Sequence, residues 1–134
     1  MLKKVQLKTS KRCEFIDITS EVTSFINEAG IESGTVAVFC PHTTAGITIN
    51  ENADPDVQRD MLLKTSELVP EIDSRYKHGE GNSDSHIKSS LYGASETIII
   101  EKGNLLLGTW QGIYFAEFDG PRTRTCFIKI QGDK

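Results

Sequence analysis

The sequence predicts an α+β fold in which antiparallel strands form a compact, sandwich-like core flanked by two to three helices. Three observations carry this expectation. Short runs of β-branched and aromatic residues recur along the chain, each bounded by Gly, Asn, Asp or Pro. Three stretches switch to a helical period with their own start and stop signals. With 134 residues, 37% of them hydrophobic and 25% charged, the chain has enough apolar material for one core and shows no linker, internal repeat or low-complexity segment.

The strands are expected near residues 3–9, 12–18, 34–40, 44–50, 96–102, 104–110, 112–118 and 122–131. Gly103-Asn104, between TIIIEK and LLLGTW, reads as a hairpin turn. Asp119-Gly120-Pro121 reads as a second, because glycine accepts positive φ and proline cannot donate to a ladder. The second half of the chain should therefore be an antiparallel meander.

The first helix is predicted from about Glu21 to Ala29, with Thr19 as cap, Val22, Phe25, Ile26 and Ala29 on one face, and Gly30 as the stop. The second starts at Asp54 as N-cap with Pro55 in the first turn, carries Val57, Met61 and Leu68 on one side, and cannot pass Pro70. The third begins at Asp84 or Ser85, should bury Ile87 and Leu91, and stops at Gly93.

Charge narrows the function. Fifteen Lys and Arg against nineteen Asp and Glu give a net charge of −4, dispersed without blocks. A general nucleic-acid binder needs a concentrated basic face to displace counterions, so the dispersed charge argues against that class and no nucleic-acid partner is expected. The basic start MLKKVQLKTSKRCEF leads into no apolar run of signal-peptide length, and no segment has the length of a membrane span, so a cytoplasmic location and no membrane partner are expected. Cys13, Cys40 and Cys126 are odd in number and widely spaced, and read as small buried hydrophobes.

Three polar knots interrupt the apolar pattern. His42 lies in the link Pro41-His42-Thr43-Thr44, and His78 and His86 bracket the loop Gly79 to Ser85 at the start of the third helix. Backbone N–H groups in such a loop and at a helix N-terminus favour an anion such as phosphate, and the helix dipole favours a neutral imidazole at position 86. The bland alternative is a capped loop whose histidines only bond the backbone. The second knot, Asn50-Glu51-Asn52-Ala53-Asp54, turns abruptly from an apolar strand to carboxylates and amides. In the third, Glu117 stands among apolar residues, where an uncompensated carboxylate would need a partner such as Arg122, Arg124 or a metal. An internal Glu–Arg pair answers that need equally well. Trp110 is either core or interface, or a stacking wall beside Gln111 and Gly112.

Three histidines with several carboxylates suit a divalent ion, nitrogen ligands favouring Zn²⁺ and oxygen ligands with a phosphorylated substrate favouring Mg²⁺. No HExxH, Cys-based zinc pattern or GxSxG elbow is present.

The segments PHTTAGITINENADPDV, HGEGNSDSHIKSSLYGAS and LGTWQGIYFAEFDGPRTR resemble the hallmark segments of the YjbQ-like family, also labelled secondary thiamine-phosphate synthase. The similarity spans essentially the entire chain. It implies a compact α+β homotrimer with polar pockets at or near subunit boundaries. It maps the family's histidines onto His42, His78 and His86, its acidic and amide positions onto Glu51, Asn52, Asp54, Asp84 and Glu117, and its Trp-Gln pair onto Trp110-Gln111. The stretch between the two loop histidines is more compact here than in many relatives, and no role is carried onto Glu80 or Asn82.

Together these readings set the expectations. His42, His86 and Glu117 are the expected catalytic groups, and His42, His78 and His86 the ligands of a Zn²⁺ or Mg²⁺ ion. Glu51, Asn52, Asp84, Trp110, Gln111 and Arg122 are the expected contacts to a phosphorylated small-molecule substrate. The implied reaction couples hydroxymethylpyrimidine diphosphate to thiazole phosphate with release of pyrophosphate. A non-catalytic trimer that binds a metal or small anion, or a metal-dependent hydrolase of a phosphorylated small molecule, are the alternatives.

Overall fold

In a computed structural model, which describes residues 1–133, eight strands and three helices follow one another as β1 (Leu2–Lys8), β2 (Glu14–Asp17), α1 (Thr19–Ala29), β3 (Gly34–Phe39), β4 (Ala45–Glu51), α2 (Pro55–Leu68), α3 (Ser83–Tyr92), β5 (Ser95–Glu101), β6 (Asn104–Leu105), β7 (Gln111–Glu117) and β8 (Thr123–Gly132). They form a five-stranded sheet in the order β1-β8-β3-β5-β6 and a three-stranded sheet in the order β2-β7-β4. Every pairing is antiparallel. The core includes Val36, Val38, Ile98, Ile100, Ile128 and Ile130 of the larger sheet with Ile47, Ile113 and Phe115 of the smaller. Alternation along β3 and β8 sends one row inward and the other to solvent, as expected for a sheet with one wet face. The predicted α+β sandwich is therefore present.

Helix α1 forms where its pattern predicts and contributes Val22, Phe25 and Ile26 to the core, and Gly30 ends it in a left-handed conformation at φ 65°. Its start differs from expectation. Asp17 accepts the Thr19 N–H at 2.9 Å and the Thr19 hydroxyl at 2.6 Å, so the carboxylate two residues upstream serves the first turn and Thr19 lies inside the helix. Helix α2 begins as read, with the Asp54 carboxylate accepting from the Asp56 N–H at 2.9 Å. None of its residues is fully buried; Gln58 donates to the Tyr114 hydroxyl at 2.6 Å, and Thr65 shares a hydrogen bond with the Tyr92 hydroxyl at 2.8 Å. The strand expected over 104–110 shortens to two residues, and Leu106 to Trp110 run as a loop.

Helix α3 reverses its expectation. Asp84, Ser85, Lys88 and Ser89 are buried, while Ile87 and Leu91 are exposed. The surface beneath the helix explains this. Where β4 and β7 begin and end, carbonyl groups run out of ladder partners, and the Ser85 hydroxyl donates to Phe118 O at 2.5 Å and the Ser89 hydroxyl to Thr43 O at 2.6 Å. The residues that follow continue the pattern, with Gly93 O accepting from the Ile47 N–H at 3.0 Å and Ala94 O from the Cys40 N–H at 2.8 Å. A side chain at Gly46 would place its Cβ 2.5 Å from Gly93 O, so only glycine admits this approach. Buried backbone polar groups need partners, and here satisfying them outweighs burying two aliphatic side chains.

Candidate functional site

Strands β4 and β7 run antiparallel with Ala45 opposite Glu117 and Glu51 opposite Gln111. Six residue steps separate those pairs, about 20 Å at the rise of a strand. The expected site residues divide between the two ends of this ladder. His42, His78, Asp84, His86, Glu117 and Arg122 gather at one end, and Glu51, Asn52, Trp110 and Gln111 at the other.

At the histidine end, β3 stops at Phe39, which pairs with Phe127, so Thr125 further along β8 pairs with Gln6 of β1 but has no strand partner for its N–H on the β3 side. His42 Nε2 accepts it at 2.9 Å. A backbone amide can only donate, so this bond requires a lone pair on Nε2 and places the proton of the neutral ring on Nδ1. Burial, followed by the nearby Arg124 guanidinium, lowers the pKa of His42 and favours that neutral form. His42 therefore has no free acceptor nitrogen for a metal, contrary to its expected role as a ligand, and presents an N–H donor instead.

His86, on the first turns of α3, shares a cleft of about 440 Å³ with His42, Thr43 and Ser89. It also borders a second cleft of about 470 Å³ with Arg75, Lys77, His78 and Ser83. The His78 and His86 rings meet edge to face with centroids 5.4 Å apart. Among the described residues no three His, Cys, Asp or Glu side chains come together as metal ligands. A three-histidine zinc centre thus does not fit within one chain, first because His42 Nε2 is occupied.

The carboxylates at this end are fully engaged. Glu117 is buried with its oxygens accepting from Arg124 Nε at 2.8 Å and Nη2, from the Thr9 hydroxyl at 2.8 Å, and from the Phe118 and Asp119 N–H groups at 3.0 Å each. Burial alone would raise its pKa; Arg124, the Asp119 N–H and Thr9 together more than offset this and hold it below the usual range. Arg124 is secured in turn by Thr44, whose hydroxyl accepts at 2.8 Å. Asp84, equally buried, receives two bonds from Arg12 at 3.0 and 2.9 Å and one from Lys88 at 2.9 Å. Burial pushes its pKa up as well, and Arg12 and Lys88 bring it below the ordinary value. Neither carboxylate is open to a substrate, which corrects the catalytic expectation for Glu117 and the binding expectation for Asp84. Arg122 bonds Asp119 through Nη2 at 3.0 Å and through Nε to the Asp119 carbonyl at 2.8 Å, and remains half exposed.

At the opposite end the polar groups shape the backbone. Glu51 accepts from the Asp54 N–H at 3.3 Å, Gln111 closes the turn before β7 by accepting from the Gly108 N–H at 2.7 Å, and the Asn52 N–H donates to Trp110 O at 2.8 Å. A Cβ at Gly112 would lie 2.6 Å from Asn52 Nδ2, which explains the glycine. Trp110 itself is 62% exposed.

Sequence reasoning missed Arg12, Lys88 and Thr9 as partners of the buried acids, and Thr44 as the group that secures Arg124. It also missed Ser89 and Ser90, which line the His42 cleft. Their spacing of three and four from His86 on a helix was the available signal.

The architecture and site define an α+β protein of two packed antiparallel sheets with a histidine-lined cleft at one end of the smaller sheet. A model of the family described as UPF0047 protein YjbQ-like matches residues 3–133. The chain belongs to this family. It is similar to the UPF0047 protein YugU of Bacillus subtilis, with 61% identity over 132 residues covering 98% of this chain and all of the relative. A UPF0047 protein of Methanocaldococcus jannaschii is 58% identical, covering 100% of this chain and 96% of its own length. Among solved structures, an uncharacterized conserved protein of the same family from Clostridium acetobutylicum superposes with a TM-score of 0.94 at 59% identity, covering 96% of this chain and 99% of that one. A protein of unknown function from Sulfolobus solfataricus gives 0.95 at 31% identity, covering 99% and 97%. Among the described residues no helix is long and apolar enough to cross a membrane.

Proposed function

We propose that the His42–His86 cleft binds a phosphorylated small molecule and that the protein is a homotrimeric small-molecule enzyme of the secondary thiamine-phosphate synthase type. The observation that carries this is the His42 Nε2 bond to the Thr125 N–H at 2.9 Å. It leaves Nδ1–H as the free ring function of a histidine bordering an open cleft, and an N–H donor is what a phosphate oxygen requires. His86, with no ring hydrogen bond among the described residues, is the group free to transfer a proton.

In the coupling reaction the thiazole nitrogen attacks the methylene carbon of the pyrimidine. The bond from that carbon to the diphosphate oxygen breaks, and pyrophosphate departs with the electron pair. On this reading His42 Nδ1–H donates to the departing oxygens, and Lys77, beside His78 and His86, offsets their charge. No step is assigned to a protein-bound metal, because the three histidines do not form its site in one chain.

The test is to incubate the protein with the pyrimidine diphosphate and the thiazole phosphate in Mg²⁺ buffer and to measure thiamine phosphate. A kcat/KM of about 10⁴ M⁻¹s⁻¹ or more, reduced roughly 10²–10⁴-fold by His86→Ala, supports the assignment. Phosphate release without a coupled product would indicate a hydrolase. Binding without turnover would indicate an anion-binding protein.

A further inference from the structure

We propose that Cys40 and Cys126 form a redox pair beneath the His42 cleft, which a small-molecule disulfide converts into an internal disulfide that pins the end of β3. The pair is independent of the ligand that the cleft takes.

Strand register places the two thiols face to face. Val38 lies opposite Ile128 and Phe39 opposite Phe127, so the next pair along β3 and β8 is Cys40 and Cys126. Cys40 keeps to the sheet: its N–H donates to Ala94 O at 2.8 Å, which continues the β3–β5 ladder one step past Phe39 opposite Ser95. The chain leaves the sheet only at Pro41, which has no N–H to give. Side chains alternate along each strand, and Cys40 and Cys126, 1% and 0% exposed, point into the core with Val38 and Ile128.

Backbone direction narrows the geometry further. Cys40 turns its N–H toward β5. The Thr125 N–H turns toward the β3 side, where His42 accepts it, so the N–H of Cys126, one residue on, turns toward β1. No ladder bond therefore links Cys40 to Cys126, and they form a non-hydrogen-bonded antiparallel pair. Such pairs hold their Cα atoms about 4.5 Å apart, closer than hydrogen-bonded pairs do. A disulfide needs a Cα separation of roughly 4.4–6.8 Å, so the bond calls for rotation of two side chains and little movement of the backbone.

Access comes from the cleft. His42 and Ala94 both line it, and the Cys40 thiol lies 3.9 Å from His42 O. Local opening at the end of the ladder brings Cys40 to solvent. Its thiolate attacks one sulfur of the small disulfide; that S–S bond breaks and one thiolate leaves. The Cys126 thiolate then attacks the Cys40 sulfur and displaces the second. Both cysteines are oxidised, the small disulfide takes up the two electrons, and the two thiol protons end on the released thiols. Oxidation removes the Cys40 S–H beside His42 O and ties β3 to β8 next to Thr125, whose N–H holds the His42 ring. The oxidised form thus holds His42 more rigidly at the rim of the cleft.

Thiol mapping tests the pair directly. The native protein and a Cys13→Ser variant are incubated with cystamine, quenched with a maleimide and digested for mass spectrometry. Cys13 is the partly open cysteine, so its replacement leaves the buried pair untouched. In both proteins the expected result is a peptide pair linked through Cys40 and Cys126, a loss of about 2 Da from the intact chain, and reversal by dithiothreitol. Amide exchange at Thr125 should slow by about tenfold or more in the oxidised protein. Disulfides through Cys13 only, or Cys40 and Cys126 reacting only after urea unfolds the chain, overturn the redox pair. An unchanged exchange rate at Thr125 overturns its action on His42.

Discussion

Two sets of ionisable residues lie at the same end of the β4–β7 ladder and behave in opposite ways. Glu117 and Asp84 are buried, and arginine, lysine, hydroxyl and backbone donors surround their carboxylates. His86 and His78 stand at open clefts, their rings against one another. Both sets sit in the long motifs that the sequence brings to attention. The difference is saturation: a group whose hydrogen-bonding capacity is taken up by its own chain holds the fold, and a group with capacity remaining can meet a ligand. His42 belongs to both classes, with Nε2 serving the end of a strand while the residue borders a cleft.

The largest effect that would break this contrast comes from the buried acids. Glu117→Ala leaves the Arg124 guanidinium, with its side chain 3% exposed, without its carboxylate. It should lower the unfolding free energy by about 3–5 kcal/mol in urea denaturation. A loss of activity at undiminished stability would instead return Glu117 to the site. His86→Ala should show the reverse pattern, with the coupling rate falling roughly 10²–10⁴-fold and stability changing by no more than about 0.5 kcal/mol.

His42→Ala sharpens the intermediate case. It removes the acceptor of the Thr125 N–H and should cost about 1–3 kcal/mol in stability as well as affinity for phosphate, measured by calorimetry. The smallest and broadest effect is on pH. Glu117 and Asp84 have folded pKa values below their unfolded ones, so the stability they contribute is complete above the ordinary carboxylate pKa of about 4 and is lost as the pH falls through the lowered folded values. Urea midpoints should therefore fall below that pH in the native protein, and fall less steeply in an Asp84→Asn variant.

Much of the fold was legible from local pattern. The strand runs, the Asp54-Pro55 start of α2 and the Gly30 stop of α1 all depend on residues within a few positions of one another; the hairpin after β5 was also legible, although its turn falls on Lys102-Gly103, both at positive φ, and the expected turn residue Asn104 opens β6 opposite Glu101. The family, too, was legible, because three long segments occur in order. Helix α3 was misread because its periodicity says which residues share a face and nothing about what that face meets. Exposed Ile87 and buried Lys88 follow from the carbonyls and Arg12 beneath the helix, supplied by distant parts of the chain.

By itself, then, the sequence determined where strands and helices form and which polar residues stand out, since backbone preference and hydrophobic alternation act over a few residues. Only the tertiary structure decided which of those polar residues remain free. Arg12 reaches Asp84 across 72 positions, and Thr9 reaches Glu117 across 108. A carboxylate's partners are chosen by whatever the folded sheets bring within about 3 Å of it, and no local spacing encodes that choice.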